Sequence, residues 1–293
     1  MVRMTRALCW LLVPTVLAAG AGAADGDAGE SAIDKRAFNL FNPTPSPYLR
    51  ELSIDGPGAT ESAYTVDAGH FQAELTLVSY TSDRDSSDGV TRRFAALAVG
   101  HTNLKVGLLN QLDAQLVLET YNHVYEREGA DRVTHRGYGD TTLRLKYNFW
   151  GNDGGRTAFA ATPFVKIPTS AEGLGNSSVE GGLILPLEVA LPRDFGLGLT
   201  TRFDAVRNDD ERGYHPEFIN SIALGHDLFG NLAGYVEFFS AVSTERGANW
   251  VGTFDAGLIY ALTDNVQLYV GANIGVTRSA DDWSLFAGLA WRF

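Results

Sequence analysis

From about residue 69 onward, apolar and polar residues alternate with a period of two, in segments separated by turn-forming residues. A period of two places successive side chains on opposite faces, and therefore predicts β-strands with one apolar and one wetter face. Twelve strands are predicted, over residues 69–82, 91–106, 111–125, 138–150, 156–168, 178–191, 195–207, 214–228, 231–243, 249–262, 265–278 and 282–293.

The connections between these strands alternate in character. The tight set is Leu108–Asn110, Asn152–Gly155, Pro192–Asp194, Phe229–Asn231 and Thr263–Asn265. The longer, more polar set is Asp83–Gly89, Arg127–Gly137, Thr169–Ser177, Asn208–Gly213, Thr244–Ala248 and Arg278–Asp281. Short turns opposite longer loops are typical of outer-membrane barrels, and an even strand count places both termini at the short-turn end.

Alternation alone does not distinguish a membrane barrel from a soluble sandwich, because both folds show it. The positions of the aromatic residues do distinguish them. One group falls at the short-turn ends: Tyr147, Phe149, Trp150, Phe195, Tyr260, Trp291 and Phe293. The other falls near the long loops: Tyr80, Tyr138, Phe203, Tyr214, Trp250 and Trp283. Two such belts are what the two bilayer interfaces select. The pattern predicts an all-β, transmembrane, up-and-down antiparallel β-barrel of about 12 strands, covering residues 69–293.

The last predicted strand ends on Phe293 after strict alternation from Trp283. Such an ending is similar to that of bacterial outer-membrane barrels, whose terminal aromatic strand is read by the barrel-assembly machinery. The similarity implies an outer-membrane location, contact with outer-membrane lipid, and assembly through Phe293.

The N-terminus is different in character. Arg3 and Arg6 precede a short apolar run, and Ala21-Gly22-Ala23 offers a cleavage site, so residues 1–23 are predicted to be a cleaved signal peptide. Residues 24–68 do not alternate and contain four prolines, which disfavour helices and central strands. Two alternatives remain for residues 24–68: a flexible periplasmic leader, or a partial plug inside the barrel.

Composition narrows the chemistry. The formal net charge is −12, which argues against nucleic-acid partners. Cys9 is the only cysteine and lies in the predicted signal, so neither a disulfide framework nor a thiolate metal site is expected in the exported chain.

The stretch Leu52-Ser53-Ile54-Asp55-Gly56-Pro57, followed by residues 60–72 (TESAYTVDAGHFQ), resembles the entry motif of an outer-membrane transporter-like family. That family is labelled for the MetA-pathway of phenol degradation, and its usual pattern is close to STDRPDxTESPYTVDAGHFQ. The resemblance implies a barrel that transports small molecules. Gly56, Gly58 and Ala63 stand where the family usually has Arg, Asp and Pro, so an arginine–carboxylate pair that pins the segment is absent or rebuilt here.

No enzymatic motif is found. The six histidines (His70, His101, His123, His135, His215 and His226) have no paired-ligand spacing, and no nucleophile elbow, phosphate loop or dinucleotide fingerprint is present. We therefore expect no catalytic residue, cofactor or metal. The enzymatic alternative is a lipid hydrolase using His101 or His123, by similarity to outer-membrane phospholipases, but no supporting serine motif accompanies them.

The predicted inward faces carry a set of charges that are the candidate lumen-lining residues: Glu74, Asp113, Glu119, Arg144, Lys146, Lys166, Glu180, Glu188, Arg202, Asp204, Glu237 and Asp255. Either they pair across the lumen, since unpaired buried charges are costly, or they line a hydrated passage and set its selectivity.

These observations predict a monomeric outer-membrane channel for passive passage of small-molecule solutes, with aromatic or apolar compounds as candidates. The second hypothesis is a non-transporting surface or structural protein with acidic loops. The third is the lipid hydrolase.

Overall fold

The computed structural model describes residues 33–86, 89–210 and 212–293; the predicted signal peptide lies outside the described residues. Before the sheet come two 3₁₀ turns, Lys35–Ala37 and Ser46–Tyr48. The strands are β1 (Phe71–Asp85), β2 (Arg92–Leu109), β3 (Leu112–Leu118), β4 (Tyr121–Glu128), β5 (Asp131–Gly137), β6 (Thr141–Trp150), β7 (Thr157–Ile167), β8 (Glu180–Ala190), β9 (Phe195–Arg207), β10 (Tyr214–Phe229), β11 (Leu232–Ser243), β12 (Val251–Thr263), β13 (Val266–Gly275) and β14 (Trp283–Arg292).

All pairings are antiparallel, and β1 pairs with both β2 and β14, so the sheet closes on itself. β3 and β4 both pair with β2 and form one barrel strand. β5 and β6 likewise continue one another along the partners β4 and β3. The result is a closed barrel of 12 strands, which confirms the predicted fold class.

The prediction of a long loop at Arg127–Gly137 is wrong. β4 continues to Glu128 and β5 begins at Asp131, so only Gly129 and Ala130 connect them, with Gly129 at φ 58°. The strands of this hairpin are polar on both faces, and Glu128 accepts a hydrogen bond from Arg92 at 2.9 Å. Apolar alternation marks strands that face lipid, and a polar hairpin that extends beyond the bilayer lacks that signal.

The barrel is apolar outside and polar inside. Leu143, Leu145 and Phe149 of β6 are 45%, 42% and 57% exposed, whereas Lys146 of the same strand is 0% exposed. The alternation therefore places apolar side chains toward the membrane and charged side chains toward the lumen. Among the described residues, no helix is long and apolar enough to cross a membrane.

The segment before β1 is fastened to the short-turn end of the barrel. Gly69 N donates to Gly107 O at 2.8 Å, and Thr44 N donates to Ala68 O at 2.9 Å. Gly69 has φ +78°, and a Cβ there would lie 2.5 Å from the Cβ of Pro43. Only glycine fits this position without strain, and it directs the preceding residues into the barrel.

Candidate functional site

Residues 51–66, which we term the lumen hairpin, enter the barrel from the short-turn end and return to it. The two ends are held together, because Arg50 N donates to Asp67 Oδ2 at 3.0 Å. Asp67 is 1% exposed and lies 3.4 Å from Arg50 and 3.5 Å from Arg292 of β14. The hairpin contains Pro57 and does not alternate, so its backbone cannot join the sheet and needs other partners.

Barrel carboxylates supply those partners. Inward carboxylates accept hydrogen bonds from backbone N–H groups of the hairpin, and such charge-assisted bonds are stronger than neutral ones. The pairs, with the accepting carboxylate first and the donating backbone N–H second, are Glu74 and Asp55 (3.0 Å), Glu237 and Ala59 (2.6 Å), Glu237 and Thr60 (2.8 Å), Glu188 and Ala63 (2.9 Å), and Asp113 and Val66 (3.0 Å). These acceptors come from β1, β11, β8 and β3, so the hairpin contacts several sides of the lumen.

Asp55 is the charged centre of this arrangement. Its carboxylate lies 2.5 Å from both Lys105 and Lys146, which are 3% and 0% exposed in their side chains. Lys105 is also 2.5 Å from Glu74. Burial raises the pKa of Asp55, but attraction to Lys105 and Lys146 outweighs burial and holds that pKa well below its usual range. Asp55 is therefore ionised and anchors the hairpin to β2 and β6.

A second ion pair lies on the far side of the hairpin. Arg144 of β6 donates to Glu61 at 2.9 Å, and Glu61 N donates to Thr200 Oγ1 of β9 at 2.9 Å. Asn148 of β6 donates to the carbonyl of Ala63 at 2.8 Å. Both charged groups of the hairpin interior, Asp55 and Glu61, thus bind cations of the barrel wall.

An open cavity of about 100 Å³ lies between the hairpin and the long loops. Glu61 and Ala59 of the hairpin form part of its wall, and the wall also holds apolar groups, including Phe164, Ile184 and Ile219. The guanidinium of Arg202 lies 4.6 Å from the ring centroid of Phe164. The cavity therefore combines an aromatic and aliphatic wall with charged groups.

The twelve predicted lumen-lining residues fall into three groups. Those that contact the lumen hairpin are Glu74, Asp113, Arg144, Lys146, Glu188 and Glu237. Those that lie around the cavity away from the hairpin are Glu119, Lys166, Glu180, Arg202 and Asp204. Asp255 is the cross-strand partner of Glu237 and is 2% exposed.

The basic members of this set all have carboxylate partners. Lys166 forms an ion pair with Glu180 on the next strand, and Arg202 binds Asp204 on its own strand at 2.6 Å. The partners of Arg144 and Lys146 belong to the hairpin. Pairing across the lumen between opposite strands, one of the two sequence interpretations, is thus replaced by pairing through the inserted segment or between neighbours.

Sequence reasoning missed Lys105, Asp55 and Glu61. Lys105 continues the inward row of His101 and Asn103 on β2, and this alternation could have identified it. Asp55 and Glu61 lie in a segment without periodicity, so no pattern could assign their side chains to the lumen.

The candidate hydrolase histidines lie in different surroundings. His101 is 4% exposed inside the barrel, where its Nε2 lies 3.1 Å from Asn122 Oδ1. His123 is on the outward face of β4. The two rings are therefore on opposite faces of the wall. Within the described residues, no group of three or more His, Cys, Asp or Glu side chains is arranged to hold a metal ion.

A solved outer-membrane channel shares this fold. The chain is similar to the COG4313 outer membrane channel from Pseudomonas putida F1, with a TM-score of 0.57 and 12% identity over 85% of this chain and 99% of that one. The NanC porin gives a TM-score of 0.45 with 11% identity, over 73% of this chain and 98% of that one. The CymD monoaromatic hydrocarbon channel gives 0.44 with 8% identity, over 76% and 87%.

At such identities the likeness to the first structure concerns the fold alone. No curated protein matches the sequence. Residues 54–293 match the family described as "Putative MetA-pathway of phenol degradation". Because that match covers most of the chain and begins inside the lumen hairpin, this outer-membrane β-barrel protein belongs to that family.

Proposed function

We propose that this protein is an outer-membrane channel for the passive passage of small molecules, with a preference for aromatic or other apolar compounds. The observation that carries the proposal is the cavity of about 100 Å³ inside the barrel, open toward the long loops and bounded on its inner side by the lumen hairpin. A purely structural barrel needs no such space, because small barrels fill their interiors with side chains.

The cavity wall supports the substrate class. Phe164, Ile184 and Ile219 offer apolar surface to a small ring compound, while Arg202 and Arg144 offer hydrogen-bond donors to its polar substituent. The family description, which names phenol degradation, agrees with a compound of this kind.

Passage requires the hairpin to move, since its contacts with the wall are hydrogen bonds and ion pairs that cross the bore. We infer that residues 51–66 act as a plug that narrows the channel. Diffusion is driven by the concentration gradient, with neither covalent chemistry nor energy coupling.

The proposal includes the route to the membrane. Residues 1–23 direct export and are removed, Phe293 is read by the barrel-assembly machinery, and the barrel works as a monomer surrounded by outer-membrane lipid. Its ligands are small-molecule solutes.

Excision of residues 51–66 tests the channel. The two ends to be joined, through a short glycine linker, are neighbours in the fold, because Arg50 N donates to Asp67 Oδ2 at 3.0 Å. In planar bilayers the excised variant should show single-channel steps several-fold larger than the wild type, because the bore loses its obstruction. Liposome swelling with small aromatic solutes should accelerate in parallel.

The matched control shortens an external loop, by deletion of residues 245–248, and should leave conductance at the wild-type value. If neither the wild type nor the excised variant gives conductance steps or liposome swelling, the channel proposal is refuted.

A second candidate, a non-transporting surface or structural protein, is favoured by the density of contacts that hold the hairpin. It predicts that the excised variant conducts while the wild type neither conducts nor releases solute under any gradient or voltage. The wild-type arm of the same experiment separates the two.

A further inference from the structure

Four arginines on four adjacent strands lie directly opposite one another at the long-loop end of the barrel. Arg84 of β1 pairs in register with Arg93 of β2, Arg93 with Arg127 of β4, and Arg127 with Arg132 of β5. We term these residues the arginine row. Neighbouring strands are about 4.8 Å apart, so the row spans roughly 14 Å.

The arginine row is on the outer surface of the barrel. Arg84, Arg93 and Arg132 are exposed and Arg127 is half-buried, whereas the neighbouring Asp83 is 6% exposed and faces inward. Two positions nearer the membrane, the same outward face carries Ser82, Ala95, Tyr125 and Thr134, again as cross-strand partners.

Two positions further along, the outward row reads Tyr80, Leu97, His123 and Arg136, so the aromatic and apolar band begins there on β1 and β2. Tyr80 is the partner of Leu97, and Tyr80 packs against Trp283 with ring centroids 5.5 Å apart. The arginine row is therefore four residues beyond Tyr80, or about 13 Å along a strand that tilts by about 40°. Tyrosine and tryptophan sit at the membrane interface, so the row stands roughly 10 Å above it, at the height of lipid headgroups.

Apart from Asp282, whose Oδ2 accepts a hydrogen bond from Arg84 N at 3.0 Å, the acids of this region are on the other face. Glu128 and Asp85 flank Arg92 at 2.9 and 3.9 Å, and this group faces inward. Within the described residues, no ion pair joins a carboxylate to a side chain of the arginine row; the one side-chain hydrogen bond is from Arg127 Nε to Gly129 O at 2.9 Å. Charge is thus segregated across the wall of a protein whose net charge is −12.

Like charges directly opposite each other destabilise a sheet. An anion bound from outside the barrel therefore stabilises the arginine row. Arginine binds phosphate oxygens in bidentate geometry, and basic clusters beside a bilayer attract anionic headgroups. We propose that the arginine row is a binding site for the phosphate groups of an anionic, phosphorylated lipid headgroup in the outer leaflet.

The test measures lipid binding by the purified full-length barrel. Native mass spectrometry in neutral detergent is carried out with diphosphorylated lipid A and with the same lipid lacking phosphate. The wild type should retain the phosphorylated lipid in preference to the other. The double variant Arg93→Gln/Arg127→Gln should lose roughly tenfold or more in affinity, because it removes the two central charges.

The matched control is Arg246→Gln/Arg278→Gln, which removes two exposed arginines from external loops outside the row. It should bind like the wild type. Equal losses in both double variants, equal binding of the dephosphorylated lipid, or full competition by free inorganic pyrophosphate would each overturn the proposed lipid site.

The unfolding temperature shows whether the double variant loses lipid binding because it is misfolded. In neutral detergent without lipid A, Arg93→Gln/Arg127→Gln should unfold at a temperature equal to or above that of the wild type, because repulsion is relieved. Lipid A should raise the unfolding temperature of the wild type and not that of the variant. A variant that is less stable without lipid, or equally stabilised by it, contradicts the proposal.

Discussion

At the residue scale, Asp55 joins the lumen hairpin to the barrel wall through two buried lysines. Lys105 and Lys146 are almost entirely removed from solvent, so each needs a counter-charge in place. Removing one member of a buried ion pair leaves the other uncompensated, which costs about 3–5 kcal/mol when no alternative exists.

The substitution Asp55→Asn should therefore lower the free energy of unfolding by about 3 kcal/mol, at the low end of that range because Glu74 still contacts Lys105. Urea-induced unfolding of the reconstituted barrel measures this change in the free energy of unfolding. The control is Asp153→Asn, a half-exposed carboxylate near Lys35 and Arg50, whose loss should cost less than about 1 kcal/mol. Equal effects of the two substitutions would contradict the anchoring role of Asp55.

The pH dependence follows from the sign of the Asp55 shift. The pKa of Asp55 is lowered in the folded protein, so its stabilising contribution is complete above the ordinary carboxyl pKa of about 4. The contribution is lost only as pH falls below that value, toward the folded pKa. The stability difference between wild type and Asp55→Asn should thus be unchanged from pH 7 to pH 5 and shrink below about pH 4, as unfolding at a series of pH values would show.

At the element scale, the barrel closes where β1 meets β14. Phe71 and Phe293 exchange two backbone hydrogen bonds, at 3.0 and 2.9 Å, and their rings stack with centroids 5.8 Å apart. The chain end thus lies beside the start of the first strand, on the short-turn side that an even number of strands requires.

The substitution Phe293→Ala separates closure from assembly. Losing the ring contact should lower the stability of the folded barrel by only about 1 kcal/mol. If the terminal aromatic is read during assembly, the amount of heat-modifiable barrel in the membrane should fall several-fold. Phe149→Ala is the matched control, since Phe149 is 57% and Phe293 56% exposed. A similar loss of folded barrel in both variants would argue against a special role for the terminus.

Strand boundaries show which elements a pattern predicts well. The membrane-spanning parts of the strands were predicted within a few residues, because lipid on one side and a polar lumen on the other enforce alternation. The β4–β5 hairpin was assigned to a loop, since both of its faces are polar and its pairing is fixed by cross-strand partners such as Arg92 and Glu128.

At the scale of the whole molecule, the charge of the wall sets the selectivity of an opened bore. The predicted set holds eight inward acids and four inward bases; Asp83 and Glu217 add to the acids, and Lys105 and Arg292 to the bases, which gives a balance of 6 − 10 = −4 for these residues. A negative wall concentrates cations and repels anions.

The variant lacking residues 51–66 should accordingly prefer K⁺ over Cl⁻. The reversal potential in a KCl gradient measures the preference, and replacement of Glu237 and Asp255 by Gln and Asn should reduce it. Anion preference, or a reversal potential that ignores these replacements, would mean that other groups line the conducting path.

The sequence by itself determined the barrel, its strand number and the alternation of its two faces. These properties follow from a local period of two, which any segment reveals without knowledge of its partners. The family-like motif at residues 60–72 added the expectation of transport.

Only the tertiary structure decided which charges meet. Lys146 and Asp55 are 91 positions apart in sequence, and Glu237 and Thr60 are 177 apart. Such contacts depend on how the closed sheet sets its registers and on where a segment without periodicity comes to lie. The same holds for the arginine row, whose members are ordinary surface residues in sequence and become neighbours only through the pairing of four strands.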